Sequence, residues 1–196
     1  MAYLREREVY RAAQRVVSAR SFTVAAESIL NEQIDPREQH YDIFLSHSVK
    51  DADLVLGAKQ ILEEFDHSVY VDWIDDPQLD RSKVNRKTAA VLRQRMKCCD
   101  SLIYLHSRNS GNSKWMPWEL GFFDGFKQNV AILPVLTDDE KEFKGQEYLS
   151  LYPYVDIETI DGKEGRKAVW VNRSANQYLK FNSWKQGKRA WRGVTL

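Results

Sequence analysis

Trp115 and Glu119 stand four residues apart in the run Ser113-Lys114-Trp115-Met116-Pro117-Trp118-Glu119-Leu120-Gly121-Phe122. On a helix that spacing puts the two side chains on one face. An indole can stack on a base or a pyridinium, and a carboxylate beside it can stabilise a developing cation. Pro117 predicts a helix start here, because a proline lacks only an N–H that a first turn leaves unused. The same residues also admit a plainer account. A Glu in the first turn is favoured by the helix dipole alone, and Trp115 or Trp118 could simply be core.

The elements that must position this pair are legible on either side of it. Ser101 to His106 predicts a strand, Ser107 to Asn112 a polar loop, and Val130 to Val135 the next strand after the helix. Earlier, Tyr41 to Ser46 predicts a buried strand, with Ser46-His47-Ser48 opening a polar loop and Asp51 placed to cap a helix through Phe65. Ser68 to Asp72 predicts a second strand. Trp73 to Arg81, with several acids and Pro77, predicts a loop, and Ser82 to Cys98 a helix with Val84, Ala89, Val91, Leu92 and Met96 inward. The fold class is therefore α/β. About five parallel strands with helices on both faces fit a flavodoxin-like order 2-1-3-4-5, in which the carboxyl ends of the strands and the helix starts beyond them form the ligand crevice.

The flanks are less regular. Residues 1–40 predict an N-terminal helical extension of one or two amphipathic helices, with Tyr10, Ala13 and Val17 inward. Residues 41–165 are the expected domain proper, and 166–196 a completing segment: a strand at Lys167 to Val171, then a helix from Ser174 to Lys185. Trp184 and Trp191 predict an anchored tail.

Composition removes several function classes. Of 196 residues 29 are basic and 28 acidic, a net charge of +1, so no global field recruits nucleic acid or anionic membrane. No apolar run approaches the roughly 20 residues of a membrane span, and the Arg- and Glu-rich start lacks a signal-peptide core, so a cytoplasmic protein is expected. Cys98 and Cys99 are adjacent, a spacing that strains a mutual disulfide, and the four histidines have no ligand spacing. No metal site is expected. Nothing matches G-x-x-x-x-G-K or G-x-G-x-x-G, which argues against a nucleoside triphosphatase and a standard dinucleotide oxidoreductase.

Taken in order, these features resemble a TIR (Toll/interleukin-1 receptor) domain over roughly residues 41 to 160. Tyr41-Asp42-Ile43-Phe44-Leu45-Ser46-His47-Ser48 is similar to the family's first box. Val69-Tyr70-Val71-Asp72-Trp73 with the acidic loop is similar to its second strand and BB loop, and Trp115-Met116-Pro117-Trp118-Glu119 to its W-x-x-x-E element. Many members cleave NAD+ at the nicotinamide–ribose bond. The resemblance implies Glu119 as the catalytic carboxylate and Trp115 as its stacking neighbour. It places Ser46, His47 and Ser48 on the diphosphate or ribose side, with Asp72, Trp73 and the acidic loop over the nicotinamide. His47 also reads as a loop-packing residue. Some family enzymes carry arginines just after the first strand, where this chain has Ser48-Val49-Lys50.

Stand-alone bacterial members resemble the signalling half of the Thoeris antiphage systems, which make a cyclic ADP-ribose isomer that activates a separate effector protein. NAD+ then enters as substrate, with no further cofactor. Self-association through the BB loop, Trp73 to Arg81, is also implied. Two other classes remain open at this point: a non-catalytic interaction module, and a nucleoside deoxyribosyltransferase-like enzyme on the same scaffold with a glutamate nucleophile.

Overall fold

A computed structural model describes residues 3–20, 40–71, 85–160 and 165–193. Their elements in chain order are β1 (Leu4–Arg5), α1 (Glu6–Arg20), β2 (Tyr41–Ser46), α2 (Ala52–Glu63), β3 (Val69–Tyr70), α3 (Arg86–Lys97) and β4 (Cys99–His106). There follow α4 (Met116–Lys127), β5 (Val130–Leu136), β6 (Tyr154–Thr159), β7 (Lys167–Ser174), β8 (Gln177–Lys180), α5 (Phe181–Lys185) and β9 (Arg192–Gly193), with short 3-10 turns at Ser110–Asn112 and Glu147–Leu151.

Among the described residues the strands form one sheet in the order β3-β2-β4-β5-β6-β7-β8-β9. The first five are parallel, in the 2-1-3-4-5 order expected of a flavodoxin-like fold. From β6 onward the pairing is antiparallel. Both faces are covered, so the central strands are apolar at nearly every position. Alternation sorts them: Ile43, Leu45, Ile103, Leu105, Ala131 and Leu133 share one cluster with α1 and α2. Phe44, Leu102, Tyr104, Val130 and Ile132 share the other with α3 and α4.

The structure departs from the sequence expectation in four places. On α1 the buried face is Val9, Ala12 and Ala13, whereas Tyr10 is 40% exposed. The helix packs on α2 so closely that a Cβ on Gly57 would lie 2.0 Å from the Val9 carbonyl oxygen. Two-residue β1 pairs in parallel with the carboxyl end of β5, Leu4 beside Val135, an element too short to carry a periodic signal. The expected helix from Ser174 to Lys185 is instead β8 followed by the one-turn α5, because β8 pairs with β7 and sets Tyr178 edge-on against Trp170. Asp51 occupies the N-cap position of α2, yet its side chain makes no capping bond. The tail is anchored as expected, with Trp184 buried and Trp191 packed against the core.

Candidate active site

The carboxyl ends of β2 and β4 and the start of α4 converge on one corner of the sheet. Trp115 already has helical backbone angles and occupies the N-cap of α4, with Pro117 in the first turn as expected. Its carbonyl accepts the Glu119 N–H at 2.8 Å, so the indole and carboxylate lie one turn apart. Glu119 is wholly buried. Period-two alternation puts Ser46, at the end of β2, on the same face as Phe44 and therefore under α4. There Ser46 Oγ–H donates to Glu119 Oε2 at 2.6 Å.

His47 is also fully buried. Its Nδ1 lies 2.7 Å from the Leu45 carbonyl, which can only accept, so Nδ1 carries a proton and donates it. Ser48 is buried beside it, and its hydroxyl accepts the Lys50 N–H. Trp115 is 4% exposed, its ring T-shaped against Trp118 at 5.5 Å between centroids, and it lines a small cleft together with Ser48. Asp72, Trp73 and the loop to Arg81 lie outside the described residues.

Two groups that the sequence did not place in the site complete the corner. Tyr104 on β4 is in register with Ser46. Burial, then the neighbouring Tyr148, holds its phenol protonated well above the ordinary range, and Glu119 acts in the same sense. The second is Asp51. Having left the cap, its carboxylate accepts from Ser107 Oγ–H at 2.5 Å and from Asn109 Nδ2–H at 2.6 Å. Ser107 Oγ in turn accepts the Asn109 and Ser110 backbone N–H groups at 3.1 and 3.2 Å. The loop after β2, which carries His47 and Ser48, is thus clasped to the loop after β4, which leads into Trp115 and Glu119. A partner 56 positions away in sequence leaves no local signal; only the clustering of Ser107, Asn109 and Ser110 in one polar loop hinted at it.

Chemically the corner offers a buried carboxylate at a helix start, supplied with a hydroxyl donor. The α4 dipole and the Ser46 hydroxyl favour negative charge at that position, against the cost of burying it. Such a group serves a developing cation better than it serves a leaving group in need of a proton.

Comparison with known proteins bears on which cation. The family model for the TIR domain matches residues 43–169. The chain is 51% identical over 165 residues to a Bacillus cereus (strain MSX-D12) protein named as a probable 3' cyclic ADP-D-ribose synthase, ThsB', an alignment spanning 83% of this chain and 85% of that one. It is 34% identical over 83 residues to a Cytobacillus dafuensis protein named as a cyclic ADP-D-ribose synthase, TIR2, spanning 42% of this chain and 22% of that one.

Proposed function

This chain belongs to the TIR-domain family, and on that premise we propose that it cleaves the nicotinamide–ribose bond of NAD+ and yields a cyclic ADP-ribose-type signal in antiphage defence. The observation that carries the reading is the buried Glu119 carboxylate, held by the Ser46 hydroxyl one helical turn from Trp115. The relatives' names point the same way.

The chemistry follows from that placement. When the bond from ribose C1′ to the pyridinium nitrogen breaks, the electron pair goes to nitrogen, and nicotinamide departs neutral without a proton. The ribose is left as an oxocarbenium ion, which the Glu119 carboxylate stabilises across the sugar face, as carboxylates do in glycoside hydrolysis. Water adding to C1′ gives ADP-ribose; a nucleophilic atom within the same molecule adding there closes a ring. Water, or a hydroxyl of the same molecule, releases one proton on adding to C1′. A crevice that excludes water favours closure.

The test is nicotinamide release from NAD+ by wild type and Glu119→Gln. The amide keeps the shape and still accepts from Ser46, but loses the charge. Release should fall about a thousandfold, on the scale of removing a group that stabilises transition-state charge. Equal release from both proteins would remove Glu119 from its assigned role.

Two finer parts of the reading go with it. The acidic loop from Trp73 to Arg81 is read as the surface through which copies associate, so specific activity should rise with protein concentration. The product is read as a diffusible nucleotide for a separate effector, made in the cytoplasm. No helix among the described residues is long and apolar enough to cross a membrane.

A further inference from the structure

The last turn of α4, the amino ends of β5 and β6, the end of β7 and the tail beyond α5 surround a cleft of about 400 Å³. Because β2, β4, β5 and β6 are parallel, this cleft lies at the opposite end of the sheet from the catalytic corner. Its wall includes Arg173, Arg189, Asp124, Tyr152, Trp191 and Leu151, and neither Ser46 nor Glu119. We propose that it binds a ribonucleotide, with the phosphate between the two arginines, the ribose hydroxyls on Asp124 and the base against Trp191 and Tyr152. The proposal goes beyond the NAD+-cleaving reading and does not depend on it.

The phosphate end is argued from the arginines. Among the described residues neither Arg173 nor Arg189 has a carboxylate within 4 Å. Arg189 is nonetheless fixed. Its Nη1 donates to the Trp184 and Lys188 carbonyls at 3.1 and 3.0 Å, and its Nη2 donates to Asn129 Oδ1. The guanidinium sits 5.9 Å over the Trp184 ring. Three of its five N–H groups are so engaged, and two are left for a ligand oxygen. Burial works against its charge, so an arriving anion relieves a cost that the protein alone leaves unmet. Arg173 is exposed, and among the described residues it has no hydrogen-bond partner.

The other walls suit the rest of the ligand. The Tyr152 hydroxyl donates to Asp124 Oδ2 at 3.1 Å, and burial followed by Asp124 pushes that phenol up to about 12, so it stays the donor. Asp124 Oδ1 remains an acceptor for a sugar hydroxyl. Trp191 and Tyr152 are partly buried aromatic surfaces, and Leu151 beside them is 78% exposed, the most of any large apolar side chain described. A base covers such surface and stacks on such rings. The volume falls within the roughly 300–1,000 Å³ of small-molecule sites.

AMP is the probe. It should bind Arg173→Met about tenfold more weakly than wild type, the scale of one charge-assisted hydrogen bond, with unaltered melting curves. Adenosine, inorganic phosphate and 2′,3′-dideoxy-AMP, each lacking one of the three recognised parts, should bind wild type at least about tenfold more weakly than AMP. Photolabelling with 8-azido-AMP should mark residues 150–153 or Trp191. No AMP binding by wild type at millimolar concentration, or equal affinity in Arg173→Met, would overturn the assignment. So would phosphate binding as tightly as AMP, dideoxy-AMP binding as tightly as AMP, or a label confined to residues 46–48 and 115–119.

Discussion

Ser46 and Glu119, 73 positions apart, meet through a buried 2.6 Å hydrogen bond from the serine hydroxyl to the carboxylate. The bond joins the end of the first central strand to the first turn of α4. It fixes which way the carboxylate points before any substrate arrives, and a preorganised charge acts at the transition state without first having to reorient.

Ser46→Ala removes that donor from a carboxylate at zero exposure. The variant should lose about 1–3 kcal/mol of stability, the scale of one buried hydrogen bond to a charged group. Nicotinamide release should fall about 10- to 100-fold as the carboxylate loses its aim. Thermal melting and steady-state release measure the two effects separately; unchanged kcat in a folded variant would show that the hydroxyl is only structural.

Asp51→Ala cuts the clasp and leaves Ser107 and Asn109 without their acceptor. A loss of about 1–3 kcal/mol is expected. Both loops should loosen together, seen as faster amide exchange at residues 47–50 and 107–113. Exchange that speeds up in the first loop alone would mean that the second is held by other contacts.

The contact of α1 with α2 depends on a missing side chain. Gly57→Ala would drive a Cβ against the Val9 backbone, which cannot yield as a side-chain tip can. Destabilisation of about 1–3 kcal/mol is expected from the overpacking. Gly121→Ala, on the open face of α4 where a Cβ meets nothing within 4 Å, should instead stabilise by up to about 1 kcal/mol through helix propensity. Chemical denaturation of the two variants compares them directly.

Asp156 on β6 is 4% exposed, and burial raises its carboxyl from 3.8 to about 6, opposed by the Asn172 side chain. The folded protein therefore binds a proton between those values that the unfolded chain does not. The stabilisation is complete below the lower value and is lost as pH rises through the upper one. Asp156→Asn should be more stable than wild type at pH 8 by up to ~3 kcal/mol, with the gap closing as pH falls from 6 toward 4. A pH-independent difference would sink this assignment.

What the sequence determined by itself was whatever local chemistry dictates. Buried strands read from unbroken apolar runs such as Ile43 to Leu45 and Ala131 to Leu133. Pro117 marked the start of α4, and helical spacing tied Trp115 to Glu119. Alternating strands and crossover helices limit the topology to a few doubly wound orders, and 2-1-3-4-5, the one expected at this size, is the one observed. The tertiary structure decided everything that depends on partners distant in the chain. It turned the Asp51 side chain to Ser107 and Asn109 instead of the helix cap and put Ser46 under Glu119. It turned the stretch before Phe181 into a strand through pairing with β7, and set the buried face of α1 through Gly57 of α2. A side chain's propensity is local, but its hydrogen-bond partner is whatever the folded chain brings within 3 Å, and that is specified only when both strands, both loops and the helix are in place.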